Sequence, residues 1–381
     1  MDQNSQINSR SLPKDNLKVA LFYDWLNQWG GAEKVLLDLI KLYPDAPIYT
    51  LVYDPKKTSW LPKNVKVITS FINKLPFSKK NNIFYTPLYS IALEQFDFSQ
   101  YDVVISTTSV SGHCLITQPE TLFLCYLHNI NRYVYQTPKQ FLFLKVILDV
   151  YKKIDYIFAK RPDYLLCNSK TVQERILKNY NRPSEIIYPG IDTSFFVPSS
   201  KKTDEKYFLI VSRLVSHKKI DLAIKACHQL NLNLKIVGKG RQKKELTNLI
   251  NSLNDKNIKI LRNIDDQKLL NLYQNCQALI CPQIEDFGLT PIEAQACGKP
   301  IIAFNQGGIT ETVIDHKTGI FFNKQSVKSL VKALAEFQNE TFSPQNCVNN
   351  AARFSNHNFM LNFNQTVKNL WKKHQNKSIV S

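Results

Sequence analysis

Apolar residues along the chain fall into short runs separated by stretches of helical periodicity. Lys18-Val-Ala-Leu-Phe-Tyr23 reads as a buried strand, Asp24-Trp-Leu-Asn-Gln-Trp-Gly-Gly31 as a loop, and 32–42 as a helix. Strand, glycine loop, helix is the opening of an α/β unit. Further strands are predicted at 65–69, 103–106, 122–126 and 164–168, with helical stretches between most of them. Such alternation predicts a parallel sheet covered on both faces. Tyr188-Pro-Gly-Ile-Asp192 closes this series, a polar stretch over 198–206 follows, and the pattern restarts. The second series has strands at 207–211, 234–237, 258–261, 278–281 and 301–304, with helices over 220–230 and from Gln242. Two α/β domains are therefore expected, over 17–194 and 195–356. A polar, disordered leader is expected over 1–16, and a helix and tail over 357–381. The final helical segment carries Phe359, Leu361, Phe363, Val367, Leu370 and Trp371. Its pattern fits packing against either domain.

Composition changes this picture little. With 381 residues, 44% apolar and 21% charged, the chain resembles an ordinary globular protein long enough for two or three cores. No apolar run is long enough to cross a bilayer. The longest candidate, 141–150, is broken by Lys145 and Asp149. Residues 1–16 lack an apolar signal core, so a cytoplasmic protein is expected, with peripheral attachment to the inner face of the membrane as an extension. The eight cysteines form no Cys-x-x-Cys pair and no zinc-finger spacing, so reduced buried thiols and no metal site are expected.

Charge adds one suggestion. The net charge is +18; the first 200 residues hold 23 basic and 17 acidic side chains, and the remainder 26 and 14. The larger excess therefore lies in the second half. It suits an anionic membrane surface or a phosphate-bearing substrate as readily as a plain lysine-rich surface. No nucleic-acid module signature is present, so no specific nucleic-acid partner is expected.

Ligands of open α/β sheets bind beyond the carboxyl ends of the strands, and four unusual polar segments follow strands here. Gly30-Gly31 precedes the first helix, as a tight turn or as an anion-binding helix start. Val211-Ser-Arg-Leu-Val-Ser-His-Lys218 brings Arg213 and Lys218 onto one loop. Two such cations can hold a diphosphate, or can simply belong to a basic surface loop. Gly238-Lys-Gly240 lacks the third glycine of a dinucleotide fingerprint, with Lys243 in its place, and is read as room for a nucleoside. Glu285-Asp-Phe-Gly-Leu-Thr-Pro-Ile-Glu293 contains a predicted capping box, with Thr290 as N-cap and Glu293 bonding back. Glu285 lies upstream of that cap, where a carboxylate has no evident local duty.

Taken together, these segments resemble the retaining GT-B glycosyltransferases of family 4, over about Lys18 to Phe322. The carriers are Asp24-Trp-Leu with Gly30-Gly-Ala-Glu-Lys-Val, and Asn168-Ser-Lys-Thr-Val-Gln-Glu-Arg175 with Ile187-Tyr-Pro-Gly-Ile-Asp192. Ser212-Arg213-Leu with Lys218, and Glu285 and Glu293 eight apart, complete the set. The resemblance implies an α/β GT-B fold, two Rossmann-like domains facing each other across a cleft. It implies that Arg213 and Lys218 hold the donor diphosphate, and that Glu285 contacts hydroxyls of the transferred sugar. Phe287, Gly288, Leu289 and Thr290 would support the sugar, and Glu293 would bond the ribose. Gly30 and Gly31 would lie beside the phosphates, Gly238 near the nucleoside, and Asn263 and Ile264 at the nucleobase. His128 would lie near the transferred sugar and Arg132 on the acceptor side. Asn129-Ile-Asn131 departs from the family's usual Thr-Pro, which leaves the acceptor-side geometry open.

The implied reaction is metal-independent and needs no cofactor beyond a nucleotide-sugar substrate. Mannose from GDP-mannose is favoured over a UDP-hexose, because the Asp-Trp-Leu opening resembles bacterial mannosyltransferases of surface-polysaccharide assembly. The implied acceptor is a glycan or lipid-linked glycan. A nucleotide-sugar epimerase and a non-catalytic nucleotide-sugar-binding protein are the alternatives.

Overall fold

A computed structural model describes residues 17–135, 145–200 and 205–380. The expected leader lies outside the described residues.

The first seven strands are β1 (Val19–Leu26), β2 (Ile48–Tyr53), β3 (Val67–Thr69), β4 (Val103–Thr108), β5 (Leu122–Leu127), β6 (Tyr164–Cys167) and β7 (Glu185–Ile186). They form one parallel sheet in the order β3-β2-β1-β4-β5-β6-β7. Its helices are α1 (Gly31–Leu42), α2 (Ser78–Asn81), α3 (Tyr89–Glu94), α4 (Arg132–Tyr135), α5 (Lys145–Phe158) and α6 (Lys170–Tyr180). Strands such as Leu-Phe-Leu-Cys-Tyr-Leu in β5 are apolar at successive positions because both faces are covered.

The second sheet has the order β10-β9-β8-β11-β12-β13 and is also parallel. Its strands are β8 (Phe208–Val211), β9 (Leu234–Val237), β10 (Ile258–Leu261), β11 (Leu279–Cys281), β12 (Ile301–Phe304) and β13 (Gly319–Phe322). The helices of this half are α7 (Ile220–Gln229), α8 (Lys243–Ser252), α9 (Asp266–Asn275), α10 (Leu289–Ala296), α11 (Ile309–Thr312), α12 (Val327–Gln338) and α13 (Pro344–Ala352), before the final α14 (Asn356–Val380).

The structure extends the expected first strand, adds its partner, and decides the placement of the last helix. β1 continues through Asp24 to Leu26, because Trp25 and Leu26 pair with Val52 and Tyr53. That partner, β2, was not among the expected strands. The last helix, α14, returns to the first domain: Phe359, Phe363, Val367 and Leu370 join the core of Leu21, Leu36, Tyr126 and Leu166. Its apolar stripe fits that groove, and the chain crosses over where Ile191 pairs with Ser355. All eight cysteines are free and buried, as expected. Burial pushes Cys125 and Cys276 up to about 12, so neither is a thiolate near neutral pH.

Candidate active site

Each sheet reverses its strand order once, between β1 and β4 in the first and between β8 and β11 in the second. A crevice opens beyond the strand ends at such a switch point. The loops leaving these four strands carry most of the polar groups of interest.

In the first domain, the loops after β1 and β4 are tied together by Asp24. Its carboxylate accepts from Thr108 Oγ1 at 2.8 Å, Ser109 N at 2.8 Å, and Ser111 N and Oγ at 3.0 Å. This buried carboxylate exchanges water for a full set of donors, which a charge needs inside a protein. α1 then starts from Gly30 without a side-chain cap. Across the cleft, α10 starts from Gly288, also without a side-chain cap and at φ +95°. A Cβ on Gly31 would lie 3.3 Å from Leu289 Cδ1. Two uncapped helix starts thus border one space, and their free N–H groups favour an anion there.

The loop after β8 adds the cations. Lys218 Nζ lies 2.6 Å from Glu285 Oε1, which also accepts from Gln283 Nε2 at 2.6 Å. Burial alone would raise the Glu285 pKa, but Lys218 and Gln283 outweigh it and hold the carboxyl below its ordinary range. Arg213 is exposed and makes no carboxylate ion pair among the described residues. Its charge is felt across the cleft at the Tyr23 hydroxyl. His217, between the two cations in sequence, is pushed down to about 4 by burial and by Lys218, Arg132 and Arg213. Cationic charge is therefore concentrated on this loop and kept there by geometry.

Glu293 corrects the capping-box expectation. The helix begins at Leu289 with Gly288 as its cap, so Thr290 is already helical and Glu293 sits two residues too far along to bond back. The φ of Gly288 is the reason, since it turns the chain into the helix two residues early. Glu293 is buried instead: its Oε2 accepts from Tyr273 OH at 2.8 Å, and its Oε1 pairs with Lys34 Nζ of α1. Burial would lower the Lys34 pKa, but Glu293 outweighs it and raises it.

His128 ends β5. Its Nε2 lies 2.8 Å from Thr107 Oγ1, and its ring meets Tyr126 edge-on. Burial pushes its pKa down to about 4, so the imidazole is neutral. The Asn129 side chain that departs from the family pattern is a cross-cleft contact. It donates to Asp286 Oδ2 at 3.1 Å and accepts from Arg175 Nη1 at 3.0 Å. Asp286 also pairs with Arg132 and, at 2.5 Å, with Arg175. Glu311, on α11, accepts from Lys170 N at 2.9 Å and Tyr188 OH at 3.0 Å, so a second-domain carboxylate sits at the start of α6.

Lys34, Arg175, Asp286 and Glu311 were missed as functional candidates. Asp286 sits inside the Glu285–Glu293 motif and Arg175 ends a quoted segment, so position was the available signal; their partners were not legible.

Two glycines let loops of the site lie close together. A Cβ on Gly238 would lie 1.8 Å from Ser212 O, so the absent side chain lets the loop after β9 lie on the cation-bearing loop. Gly308 serves the Glu285 loop in the same way. Its N–H donates to Glu285 O at 2.8 Å, and a Cβ would meet Asp286 O at 2.1 Å. Asn263 is exposed at φ +52° beside half-buried Ile264. Ile264, Leu261, Gln267, Lys268, Asn271 and Leu272 line an open pocket. Leu272 precedes Tyr273, the partner of Glu293. Among the described residues, the one grouping of metal-ligand atom types is exposed His316 with Glu336 and Glu340, away from these loops.

Residues 29–195 match the family described as Glycosyltransferase Family 4, and residues 192–354 match Glycosyl transferases group 1. The chain belongs to the family 4, group 1 glycosyltransferases. The "Alpha-1,3/1,6-mannosyltransferase ALG2" of Dictyostelium discoideum is 26% identical over 406 residues, covering 90% of this chain and 96% of that one. The "O-antigen chain mannosyltransferase RfbU" of Salmonella typhimurium is 35% identical over 152 residues, covering 38% of this chain and 42% of its own length. Matches to several other curated relatives also span only about half of their length. Among solved structures, Anabaena Alr3699/HepE in complex with UDP and glucose superposes with a TM-score of 0.69 at 20% identity. It covers 92% of this chain and 99% of that chain. The fold of this glycosyltransferase is GT-B, two Rossmann-like α/β domains facing across a cleft.

Proposed function

We propose that this glycosyltransferase moves a hexose, with mannose favoured, from a nucleoside-diphosphate sugar to a glycan or lipid-linked glycan acceptor, with retention of configuration. The observation that carries this reading is the pairing of Lys218 with Glu285 on a loop whose Arg213 has no carboxylate partner among the described residues, beside two uncapped helix starts. In it, Arg213 and Lys218 hold the diphosphate and stabilise the charge it gains as it leaves. Glu285 contacts hydroxyls of the transferred sugar, backed by N–H groups at Gly288, Leu289 and Thr290. Glu293 bonds the donor ribose in exchange for Lys34. The base lies in the pocket at Ile264 and Asn263. Neutral His128 faces the sugar as a hydrogen-bonding group rather than a charge, and the acceptor hydroxyl attacks from the face the diphosphate leaves.

No cofactor or metal takes part in this reading, so chelator treatment is expected to leave turnover unchanged. Mannose rests on the two mannosyltransferase relatives. A UDP-hexose donor is the second reading, supported by the UDP complexes among the structural neighbours. A thermal-shift comparison of GDP, UDP and their sugars separates the two, because the bound nucleotide raises the melting point with its excess over Kd. Arg213→Ala is expected to lower turnover with the intact donor by roughly 10²-fold, the scale of one lost preorganised charge contact. Near-wild-type turnover in that variant sinks the assignment. Release of the free sugar epimer without an acceptor would instead indicate an epimerase.

A further inference from the structure

A helix packed on a sheet normally turns its apolar stripe inward. α5 does the reverse. From Val146 to Phe158 its one fully buried residue is Asp155, held by His113 Nε2 at 2.9 Å and Tyr180 OH at 2.8 Å. That buried polar contact fixes the rotation of the helix about its axis. Val146, Ile147, Val150, Ile154 and Ile157, spaced to share one helical face, then point to solvent, with exposures from 40% to 78%.

A second apolar group lies on the same side of the sheet. Phe77, Ile83, Phe84 and Ile91 are exposed on the segment that Tyr89, Ala92 and Leu93 anchor into the core shared with Phe158 and Ala159. Arg161, just past α5, reaches Glu94 at the end of α3 at 3.5 Å, which joins the two groups. Phe77 sits at φ +56°, a conformation bulky residues rarely take, with its ring left in solvent. Exposed Lys74, Lys79, Lys80, Lys153 and Lys160 surround these side chains.

We infer that this face of the first domain docks on the surface of an anionic phospholipid bilayer, the apolar side chains entering the interface and the lysines meeting the head groups. An apolar stripe rimmed with lysine matches a helix lying in a membrane surface. Lysine is depleted from protein–protein interfaces, which argues against a second copy of the chain as the occupant. No helix among the described residues is long and apolar enough to cross a membrane, so the fit is to a surface rather than a span. α5 touches the turn at Gly112–Cys114, which continues the Asp24-bound loop of the cleft. The docked face therefore adjoins the acceptor side. This inference supplies the surface that the lipid-linked-acceptor reading needs, and it is tested without an acceptor.

The test is sedimentation of the full chain with vesicles of phosphatidylglycerol and phosphatidylcholine, against phosphatidylcholine alone. Binding is expected to the anionic vesicles and to weaken with salt. Val150→Glu/Ile154→Glu and, separately, Phe77→Glu/Phe84→Glu are expected to weaken it at least tenfold. Lys79→Glu and Lys80→Glu are each expected to weaken it by about fivefold or more, only where anionic lipid is present. These side chains are exposed, and an unchanged melting point confirms that each variant folds. Absence of binding, or binding that both apolar double variants leave intact, overturns the inference. So does a concentration-dependent dimer abolished by Val150→Glu/Ile154→Glu. Failure of every nucleotide to raise the melting point would count against the donor reading and leave the vesicle result standing.

Discussion

The starts of α1 and α10 are built alike and used differently. Each helix begins at a glycine with no side-chain cap, and each buries a glutamate within its first turns that accepts from a tyrosine of its own domain. Glu33 accepts from Tyr23 at 2.6 Å, and Glu293 from Tyr273 at 2.8 Å. The second partner separates them. Glu33 takes Gln28 of its own domain at 3.0 Å, whereas Glu293 takes Lys34 from across the cleft. The first glutamate therefore locks a loop within one domain. The second makes a contact that crosses the cleft, which the proposed function gives to the donor ribose instead. A buried carboxylate links two domains when its last partner belongs to the other one.

The strongest test pits the two glutamates against each other. Glu293→Leu is expected to lower kcat/KM for the donor by about 10- to 100-fold, the worth of a charged hydrogen bond. Glu33→Leu is expected to cost about 1–3 kcal/mol of stability by orphaning the Tyr23 hydroxyl, with donor KM within about twofold of wild type. Steady-state kinetics and urea melts on both variants decide it; exchanged outcomes would end the comparison.

Acidification sharpens the contrast between the two sides. His128 has a folded pKa of about 4, below its ordinary value, so the unfolded chain takes up the proton first as pH falls. Its contribution is full above about pH 6.5 and is lost as pH falls toward 4, amounting to about 2 kcal/mol between pH 7 and pH 5. Glu285 is also lowered, so what it contributes is lost only as pH falls below the ordinary glutamate range. His113 works in the opposite sense. Burial favours its neutral form, but Cys114 and Asp155 outweigh that and raise it, so its stabilisation is greatest at low pH. Urea melts of wild type and His128→Asn at both pH values cancel the His113 contribution. The slope should flatten in the variant, and parallel slopes would refute the assignment.

The smallest effect concerns the two cap glycines. Gly288→Ala puts a side chain at φ +95° and is expected to cost about 1–2 kcal/mol. Gly30 is in extended backbone at φ −176°, and its Cβ would meet only the flexible Glu33 carboxylate, at 3.1 Å. Gly30→Ala is therefore expected to cost a few tenths. Equal melting-point losses would show that the two helix starts are not conformationally distinct.

Much of this was legible in the residues because it rests on local pattern. Strands β9, β10 and β12 were bounded correctly by uniform apolar runs, and Arg213, Lys218 and Glu285 stood out as candidates because they follow strands. The extension of β1 was misread because Asp24 looks like a loop residue until five donors from the β4 loop surround it. Glu293 was misread because Thr-x-x-Glu spacing is a capping signal wherever the helix begins two residues later than it does here. Rotation of α5 was illegible for a similar reason: periodicity gives the angle between residues but not which face meets the sheet.

The sequence by itself determined two parallel α/β domains, the family, and the loops on which the chemistry-bearing side chains sit. Each depends on residue type and spacing along the chain. Only the tertiary structure decided that Lys34 meets Glu293, that Asp286 gathers Arg132 and Arg175, and that α14 returns to the first domain. It also decided that α5 faces outward. Those contacts join residues up to 259 positions apart, and such pairing depends on how two separately folded sheets approach each other, which no local pattern encodes.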